Sequence, residues 1–268
     1  MGIKLLRPAE VSDWLIAHGR HFVTNDELAE LVGVAATDVR HSLRRQRDLN
    51  TLVPITKGAW VPVPPQYRRN GAPPVDHFID PLMNFFGHRY YVGFLSAAAI
   101  HGASHQAPMV FQVVTDAALR DRAIGAQRVS FIRRSDMERR ATVRRIVPTG
   151  RINVSTPEVT VLDLVETPSF GAGLSNVATV IAELLDAGVL DPVALGEQAT
   201  HYSTAVIQRV GHLVEQMGNE TDKSIDLGAL WELVDGAPLV DLYPQAERTG
   251  VRDDRWNVMA NIDIEPDL

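Results

Sequence analysis

The stretch from Thr24 to Arg47 constrains the fold most, because it predicts two short helices joined by a tight turn. Thr24 is a favourable N-cap, and Glu27 three residues later completes a capping box. Gly33 predicts the end of the first helix, since glycine adopts a left-handed backbone conformation that other residues avoid. A second helix is predicted to start at Thr37.

The predicted second helix is cationic on one face. Arg40, Arg44 and Arg47 recur at helical spacing and fall within roughly 60° of arc. His41 and Arg45 lie at the edges of that face. A helix, a glycine turn and a second helix with a basic outer face form the layout of a helix-turn-helix whose second helix binds DNA. An ordinary solvated helix with several arginines is the alternative that this stretch alone leaves open.

Residues 52–63 predict a β-hairpin, because apolar residues flank a turn-forming segment. Gly58 suits a turn with positive φ, and Lys57 would lie at the tip. A further helix is predicted over residues 8–18, ahead of the helix pair. Three helices followed by a hairpin predict a winged helix-turn-helix, with Lys57 of the wing beside a phosphate. Other small domains also end in a hairpin, so the order of the elements carries this prediction.

The polar, proline-containing segment Gln66–Pro74 predicts a domain boundary. The expected fold class is mixed α/β, with a winged helix-turn-helix domain over residues 1–70 and a larger mixed α/β domain over residues 71–268. From residue 219 the chain becomes acidic, and a hairpin and a groove-covering segment are both open for this tail. In the second domain, helices are predicted at 78–86, 90–102, 156–165, 174–185, 194–199 and 205–217, and strands at 110–115, 129–133, 143–147 and 152–155.

The charge of the chain is unevenly distributed, although its net charge is −7. Residues 1–70 carry +3, residues 120–145 carry +6 and residues 220–268 carry −8. Attraction to phosphate depends on the local field, so the acidic total does not argue against nucleic-acid binding.

Cysteine is absent, which excludes disulfides and thiolate metal sites. The sequence has no apolar run of membrane-spanning length and no signal-peptide core at its start, so we expect a cytoplasmic protein.

A second basic surface is predicted in the arginine-rich zone. Arg133 and Arg145 alternate with Ile132 and Ile146 along two predicted strands, which indicates one apolar and one cationic face. An ordinary solvated sheet face, a phosphate-contacting surface and a dock for an acidic partner are all open. The residues of this surface are Arg133, Arg134, Arg144 and Arg145.

No catalytic motif is found, because both the Gly-x-Ser-x-Gly elbow and the phosphate-binding Gly-x-x-x-x-Gly-Lys loop are missing. His101 and His105 are four residues apart, but Gly102 between them argues against a continuous helix and so against a metal site. We therefore expect no enzyme activity, no metal and no cofactor. Three carboxylates on one predicted helix are interpreted as a solvated face or as helix N-terminal charges: Glu158, Asp163 and Glu166.

The sequence resembles the AbiEi family, the antitoxins of bacterial abortive-infection, type IV toxin–antitoxin systems. The resemblance spans roughly residues 8–217, and the acidic tail lies outside it. Its order of motifs, a Tyr-rich helix, a strand and a Thr-Pro-Glu helix, is fairly specific. The matching segments are the helix-turn-helix Thr24–Val34, the wing Ile55–Val61, and the second-domain segments Tyr90–Gly102, Val110–Thr115 and Ser155–Val165.

The resemblance implies a DNA-binding autorepressor that binds inverted repeats of double-stranded DNA at its own promoter. It also implies an antitoxin that opposes a nucleotidyltransferase-like toxin encoded beside it, by direct or indirect contact. The oligomeric state stays open. A ligand-sensing winged-helix transcription factor and a nucleic-acid-processing enzyme are the alternatives. The residues expected to contact DNA are Thr24, Thr37, Arg40, His41, Arg44, Arg45, Arg47 and Lys57.

Overall fold

The computed structural model describes residues 5–103 and 108–267. Its N-terminal part consists of short helices and a three-stranded sheet whose strand order is β1-β3-β2. The helices are α1 (Val11–Ala17), α2 (Asn25–Val32), α3 (Val39–Ser42) and α4 (Arg44–Asp48), and the strands are β1 (Val23–Thr24), β2 (Leu52–Thr56) and β3 (Ala59–Pro62).

The predicted start and end of the first helix of the pair are confirmed. The Oγ1 atom of Thr24 accepts a hydrogen bond from the backbone N–H of Glu27 at 3.3 Å, and Glu27 Oε2 accepts one from the backbone N–H of Thr24 at 2.7 Å. These two bonds form the capping box, which satisfies backbone donors that the first helical turn leaves free. Gly33 ends α2 with φ 69° and ψ 39°.

The predicted second helix differs from the observed one at its start and in its middle. Thr37 precedes the helix, and Asp38 occupies the N-cap position of α3. The carbonyl oxygen of Asp38 is the first to accept helical hydrogen bonds, which come from the backbone N–H groups of His41 and Ser42. Leu43, whose side chain is fully buried, takes φ −100° and ψ 14° and separates α3 from α4. The backbone hydrogen bond from Arg47 N to Leu43 O resumes the helical pattern after this irregularity.

One apolar core holds the three helical segments and the hairpin together. Its side chains are almost fully buried, and a buried aliphatic side chain contributes about 1.5–3 kcal/mol. Because helices and hairpin share this core, the segment forms the winged helix-turn-helix arrangement that the order of elements predicts. The core residues are Val11, Leu15, Val23, Leu28, Leu31, Val39, Leu43, Leu52 and Trp60.

A six-stranded sheet has the strand order β6-β7-β5-β4-β9-β8. Four strands agree with the predicted ones, and β6 and β4 were not predicted. The β6–β7 hairpin turns at Gly125, which has φ 58°. The strands are β4 (Tyr90–Val92), β5 (Phe111–Thr115), β6 (Arg122–Ile124), β7 (Gln127–Arg133), β8 (Thr142–Val147) and β9 (Gly150–Ser155).

The Tyr-rich helix predicted over residues 90–102 is wrong at its start. Tyr90–Val92 forms the strand β4, and the helix begins only at Phe94. Tyrosine and valine favour a half-buried pleated surface. The chain changes direction at Gly93, which is extended, and at Phe94, which has φ 52°.

The remaining helices agree with the predicted positions except α11, which was not predicted, and α7 begins as its sequence indicates. Thr156 caps α7 by accepting a hydrogen bond from Val159 N at 3.3 Å, and Pro157 occupies the first helical position. No helix among the described residues is long and apolar enough to cross a membrane. The helices are α5 (Ile79–Phe86), α6 (Phe94–Ile100), α7 (Pro157–Glu166), α8 (Leu174–Asp186), α9 (Pro192–Ala199), α10 (Thr204–Thr221) and α11 (Gly228–Glu232).

The described chain divides into two compact units. The first unit contains the residues up to Tyr90 together with Met109–Arg133 and Arg144–Asn153, and the second contains the rest. Within the first unit, the middle of the predicted linker is held by a contact to another segment. Asn70 ends a short 3-10 helix, and its carbonyl accepts a hydrogen bond from Ala126 N at 2.7 Å in the β6–β7 turn. The domain boundary at residue 70 stays a prediction.

The acidic tail contains a hairpin, one of the two possibilities that the sequence leaves open. Strand β11 (Val251–Asp253) pairs antiparallel with β12 (Val258–Ala260), and β10 (Val240–Asp241) pairs parallel with β12. Trp256 in the hairpin turn is fully buried over Gly211 of α10. The Trp256 indole Nε1 donates a hydrogen bond to Glu215 Oε2 at 2.6 Å.

The Gly211→Ala variant should destabilise the protein, because the added Cβ would overlap the Trp256 ring. Overpacking of this kind costs about 1–3 kcal/mol, although alanine is the better helix former. Urea unfolding measures the difference. The control is Asn219→Ala, an exposed position on the same helix. Equal stability of the two variants would contradict the packing of Trp256 on α10.

Candidate nucleic-acid interface

A cleft of about 850 Å³ opens beside the helix-turn-helix. Its walls are the start of α2, the residues around the start of α3, and the turn between β2 and β3. Four of the residues predicted to contact DNA line it together: Thr24, Thr37, Arg40 and Lys57.

Lys57 is exposed at the tip of the β2–β3 turn, and Gly58 beside it has φ 89°. Two hydrogen bonds connect the β2–β3 hairpin to Asn25 of α2. Gly58 O accepts a hydrogen bond from Asn25 N at 2.9 Å, and Trp60 Nε1 donates one to Asn25 Oδ1 at 2.7 Å. Since β1 also pairs with β3, the position of Lys57 relative to α2 is set by backbone contacts.

The basic residues of α3 and α4 present a mostly exposed cationic face. Arg40, His41, Arg44 and Arg45 are exposed, whereas Arg47 is half-buried. Arg44 Nε lies 3.6 Å from Asp48 Oδ2, and Arg47 Nη2 lies 3.1 Å from Asp48 Oδ1. Exposed pairs of this kind contribute only about 0–1 kcal/mol, so a phosphate could replace Asp48 at little cost. Among the described residues, Arg40 and Arg45 form no ion pair.

The two threonines differ from the basic residues because their hydroxyl groups already have partners. Thr24 Oγ1 donates to Glu27 Oε2 at 2.9 Å in addition to accepting the capping bond. Thr37 Oγ1 donates to Asp38 Oδ1 at 3.4 Å. A phosphate at either hydroxyl would compete with a neighbouring carboxylate.

The second predicted basic surface is only partly exposed. Arg133 at the end of β7 and Arg144 and Arg145 on β8 are exposed. The expected apolar face is absent on β8, where Ile146 is 82% exposed. β8 is the last strand of its sheet, and none of its residues is buried.

Arg134 lies inside the second unit, where its side chain is only 13% exposed and contacts three carboxylates. Its Nη1 lies 2.5 Å from Asp163 Oδ1 and its Nε lies 2.9 Å from Asp136 Oδ1. Its Nη2 contacts Glu166. Burial opposes the charge of this guanidinium and is the largest single effect, but Asp163 and the other groups around it together outweigh burial and raise the pKa of Arg134. A guanidinium with these partners is not available to an external phosphate.

Asp163 is the centre of this buried cluster, on the apolar helix α7. Besides Arg134, it accepts hydrogen bonds from the hydroxyl groups of Tyr91 at 2.9 Å and Tyr202 at 2.7 Å. Burial and the neighbouring Asp163 carboxylate raise the pKa of both tyrosines well above the usual range. Arg140, itself buried, stacks on the Tyr202 ring with its guanidinium carbon 3.8 Å from the ring centre.

The interpretation of the α7 carboxylates as a solvated face is wrong for two of the three, although Glu158 does lie in the first turn, where the alternative places a helix N-terminal charge. Asp163 is fully buried, and Glu158 is almost so, with its Oε1 accepting a hydrogen bond from Asp191 N at 3.0 Å. A signal was present, since Asp163 interrupts the run Val161, Leu162, Leu164, Val165. A charge flanked on both sides by core residues requires a buried partner.

No group of metal-binding side chains occurs within residues 5–103 and 108–267. His101 is buried, and its Nε2 lies 2.7 Å from the carbonyl oxygen of Ser155. His105, the other histidine of the pair singled out in the sequence, lies outside the described residues.

Comparison with known proteins finds a family match in the second part of the chain and a similar fold over most of its length. Residues 91–216 match the family model described as the AbiEi antitoxin C-terminal domain. The crystal structure of the RV2827C protein from Mycobacterium tuberculosis is similar in fold, with a TM-score of 0.65 at 16% sequence identity. That match covers 96% of this chain and 92% of the other. No curated protein matches the chain.

The fold defines a mixed α+β protein that combines a winged helix-turn-helix with a helix-rich second unit. More particularly, residues 91–216 are similar to the AbiEi antitoxin C-terminal domain. The match confirms the resemblance to the AbiEi-type antitoxin family and supports an antitoxin of a type IV toxin–antitoxin system.

The raised pKa of Tyr202 predicts a loss of stability in alkali. Because its folded pKa lies above the unfolded value of about 10, the stabilisation is complete below that pH and is lost as the pH rises above it. One such group changes the free energy of unfolding by up to about 1.4 kcal/mol per pH unit. Urea unfolding between about pH 9 and pH 11 should show a shallower decline for Tyr202→Phe than for the wild type. Parallel declines would show that the hydroxyl is not held by Asp163.

Proposed function

We propose that this protein is a DNA-binding autorepressor and an antitoxin that counteracts a nucleotidyltransferase-like toxin. The observation that carries the DNA-binding part is the shared cleft of Thr37, Arg40 and Lys57. The antitoxin part follows from the AbiEi domain. The site of action is the cytoplasm, where the promoter DNA lies.

In this proposal the basic face of α3 and α4 enters the major groove. Arg44 would contact a base edge, with Arg40 and Arg47 beside it and His41 and Arg45 at the edges. Lys57 on the wing would contact the flanking phosphate backbone. The fixed attachment of the wing to α2 supports this division, since it holds two groups of cations at a constant separation.

The antitoxin function needs no catalysis by this chain. AbiEi antitoxins are not known as enzymes. The carboxylates of the Asp163 cluster are already paired with arginine and tyrosine, which leaves them unsuited to acid–base or metal chemistry. We propose that the exposed Arg133, Arg144 and Arg145 contact either the toxin or a nucleic acid that the toxin uses.

The full-length protein should bind a duplex from its own upstream region in a strongly salt-dependent way. Each phosphate contact contributes about −0.9 to the slope of log affinity against log salt. Lys57→Ala should weaken binding to specific and non-specific DNA alike. Arg44→Ala should weaken binding to the specific duplex more than to non-specific DNA, by about 1–3 kcal/mol. Fluorescence anisotropy over a salt series measures both. Absence of wild-type binding at low salt would refute DNA binding, and equal losses for the two variants would refute the assignment of their roles.

Co-expression with the toxin should separate the two activities. A variant with Arg40→Glu and Arg44→Glu should lose promoter repression but still restore colony formation, because the antitoxin domain is unaltered.

Reversal of Arg133, Arg144 and Arg145 to Glu should abolish rescue at equal protein level, whereas the exposed control Arg252→Glu should retain it. Rescue by the triple variant would exclude these arginines from the antitoxin mechanism.

A further inference from the structure

Building on the proposed function, we infer that Phe85 of α5 belongs to the DNA interface. Its ring packs against the deoxyribose of the backbone segment whose phosphate Lys57 contacts. This contact comes from outside residues 1–70, so the DNA-binding unit is larger than the winged helix alone.

Phe85 lines the same cleft as Thr37, Arg40 and Lys57. Its side chain is 41% exposed, which is unusual for a phenylalanine on a helix whose Leu82 is fully buried. The ring stands beside the tip of the wing, because a Cβ placed on Gly58 would lie 3.6 Å from Phe85 Cζ. An exposed aromatic ring therefore adjoins the main cation of the wing.

The contacts behind Phe85 hold it in this position. Its ring centre lies 5.8 Å from that of Phe22 and 6.0 Å from that of Phe86. Arg122 stands over the Phe86 ring at 5.1 Å and donates a hydrogen bond from Nη1 to Ile55 O of β2 at 3.4 Å. One arginine thus contacts both α5 and the wing strand, so the ring and Lys57 are fixed relative to each other.

The cleft has the chemistry that a duplex backbone requires. Phosphates would meet the cations of Lys57 and Arg40, and the sugars between successive phosphates offer apolar surface to an aromatic ring. Asp26 on the α2 wall is a negative charge that opposes phosphate binding, and it is exposed to solvent. A purely cationic cleft would bind any polyanion, whereas an aromatic wall beside the cations favours a ligand with alternating charged and apolar groups.

The test compares full-length variants on the upstream duplex over a salt series. Phe85→Ala should lower the affinity about tenfold with an unchanged salt slope, because it removes apolar area but no phosphate contact. Lys57→Ala should instead make the slope shallower by about 0.9. The matched control Met109→Ala removes an exposed apolar side chain of the same unit and should bind like the wild type.

A shallower slope for Phe85→Ala would show that the ring only supports the wing, and an unchanged affinity would show that it does nothing for binding. Either result overturns the inference and leaves the proposed function standing. Failure of the wild type to bind DNA would refute the proposed function and the inference together.

A second measurement does not depend on the stability of the alanine variant. The chain contains no cysteine, so Phe85→Cys and Met109→Cys each create a single thiol. Saturating duplex should slow maleimide alkylation of the thiol at position 85 about tenfold, since bound DNA would cover it, and leave position 109 unchanged. Equal protection at both positions, or protection at neither, would contradict a DNA contact at Phe85.

Discussion

The buried carboxylate of Asp163 is the constraint on which the second unit depends. A charge with no access to water is tolerated only when ion pairs and hydrogen bonds replace its hydration. Those partners come from distant points of the chain: Tyr91 on β4, Arg134 after β7 and Tyr202 ahead of α10. Removing one partner of such a pair costs about 3–5 kcal/mol, so the cluster specifies where these three segments lie.

Local sequence signals explain why the helix-turn-helix was predictable. The capping box at Thr24 joins residues three apart, and the glycines at positions 33 and 58 act through their own positive φ, so all three signals are local in sequence. The break at Leu43 was not predictable, because it occurs at a fully buried core position. The start of α3 was placed one residue too early, since Asp38 and not Thr37 occupies the N-cap position. The strand at Tyr90 was missed because an adjoining alanine run extended the helical pattern too far.

The residues of the candidate site were likewise predictable only where the sequence signal was local. Exposure of the α3–α4 arginines follows from helical spacing, which the sequence contains. The burial of Arg134 depends on Asp163, twenty-nine positions away, and no spacing rule connects them. Phe85 was missed for a similar reason, since an amphipathic pattern assigns a phenylalanine to the core and cannot show that a wing lies beside it.

Contacts within the first unit bear on which residues the proposed DNA-binding domain requires. A boundary placed at residue 70 follows composition, yet Asn70 hydrogen-bonds to Ala126, and Arg122 to the carbonyl of Ile55. A fragment ending at residue 70 would expose the surface that these residues cover and would lose one support of the wing. Weak DNA binding by such a fragment would therefore reflect a missing part of its own compact unit, which is why the full chain is the proper object for measuring DNA affinity.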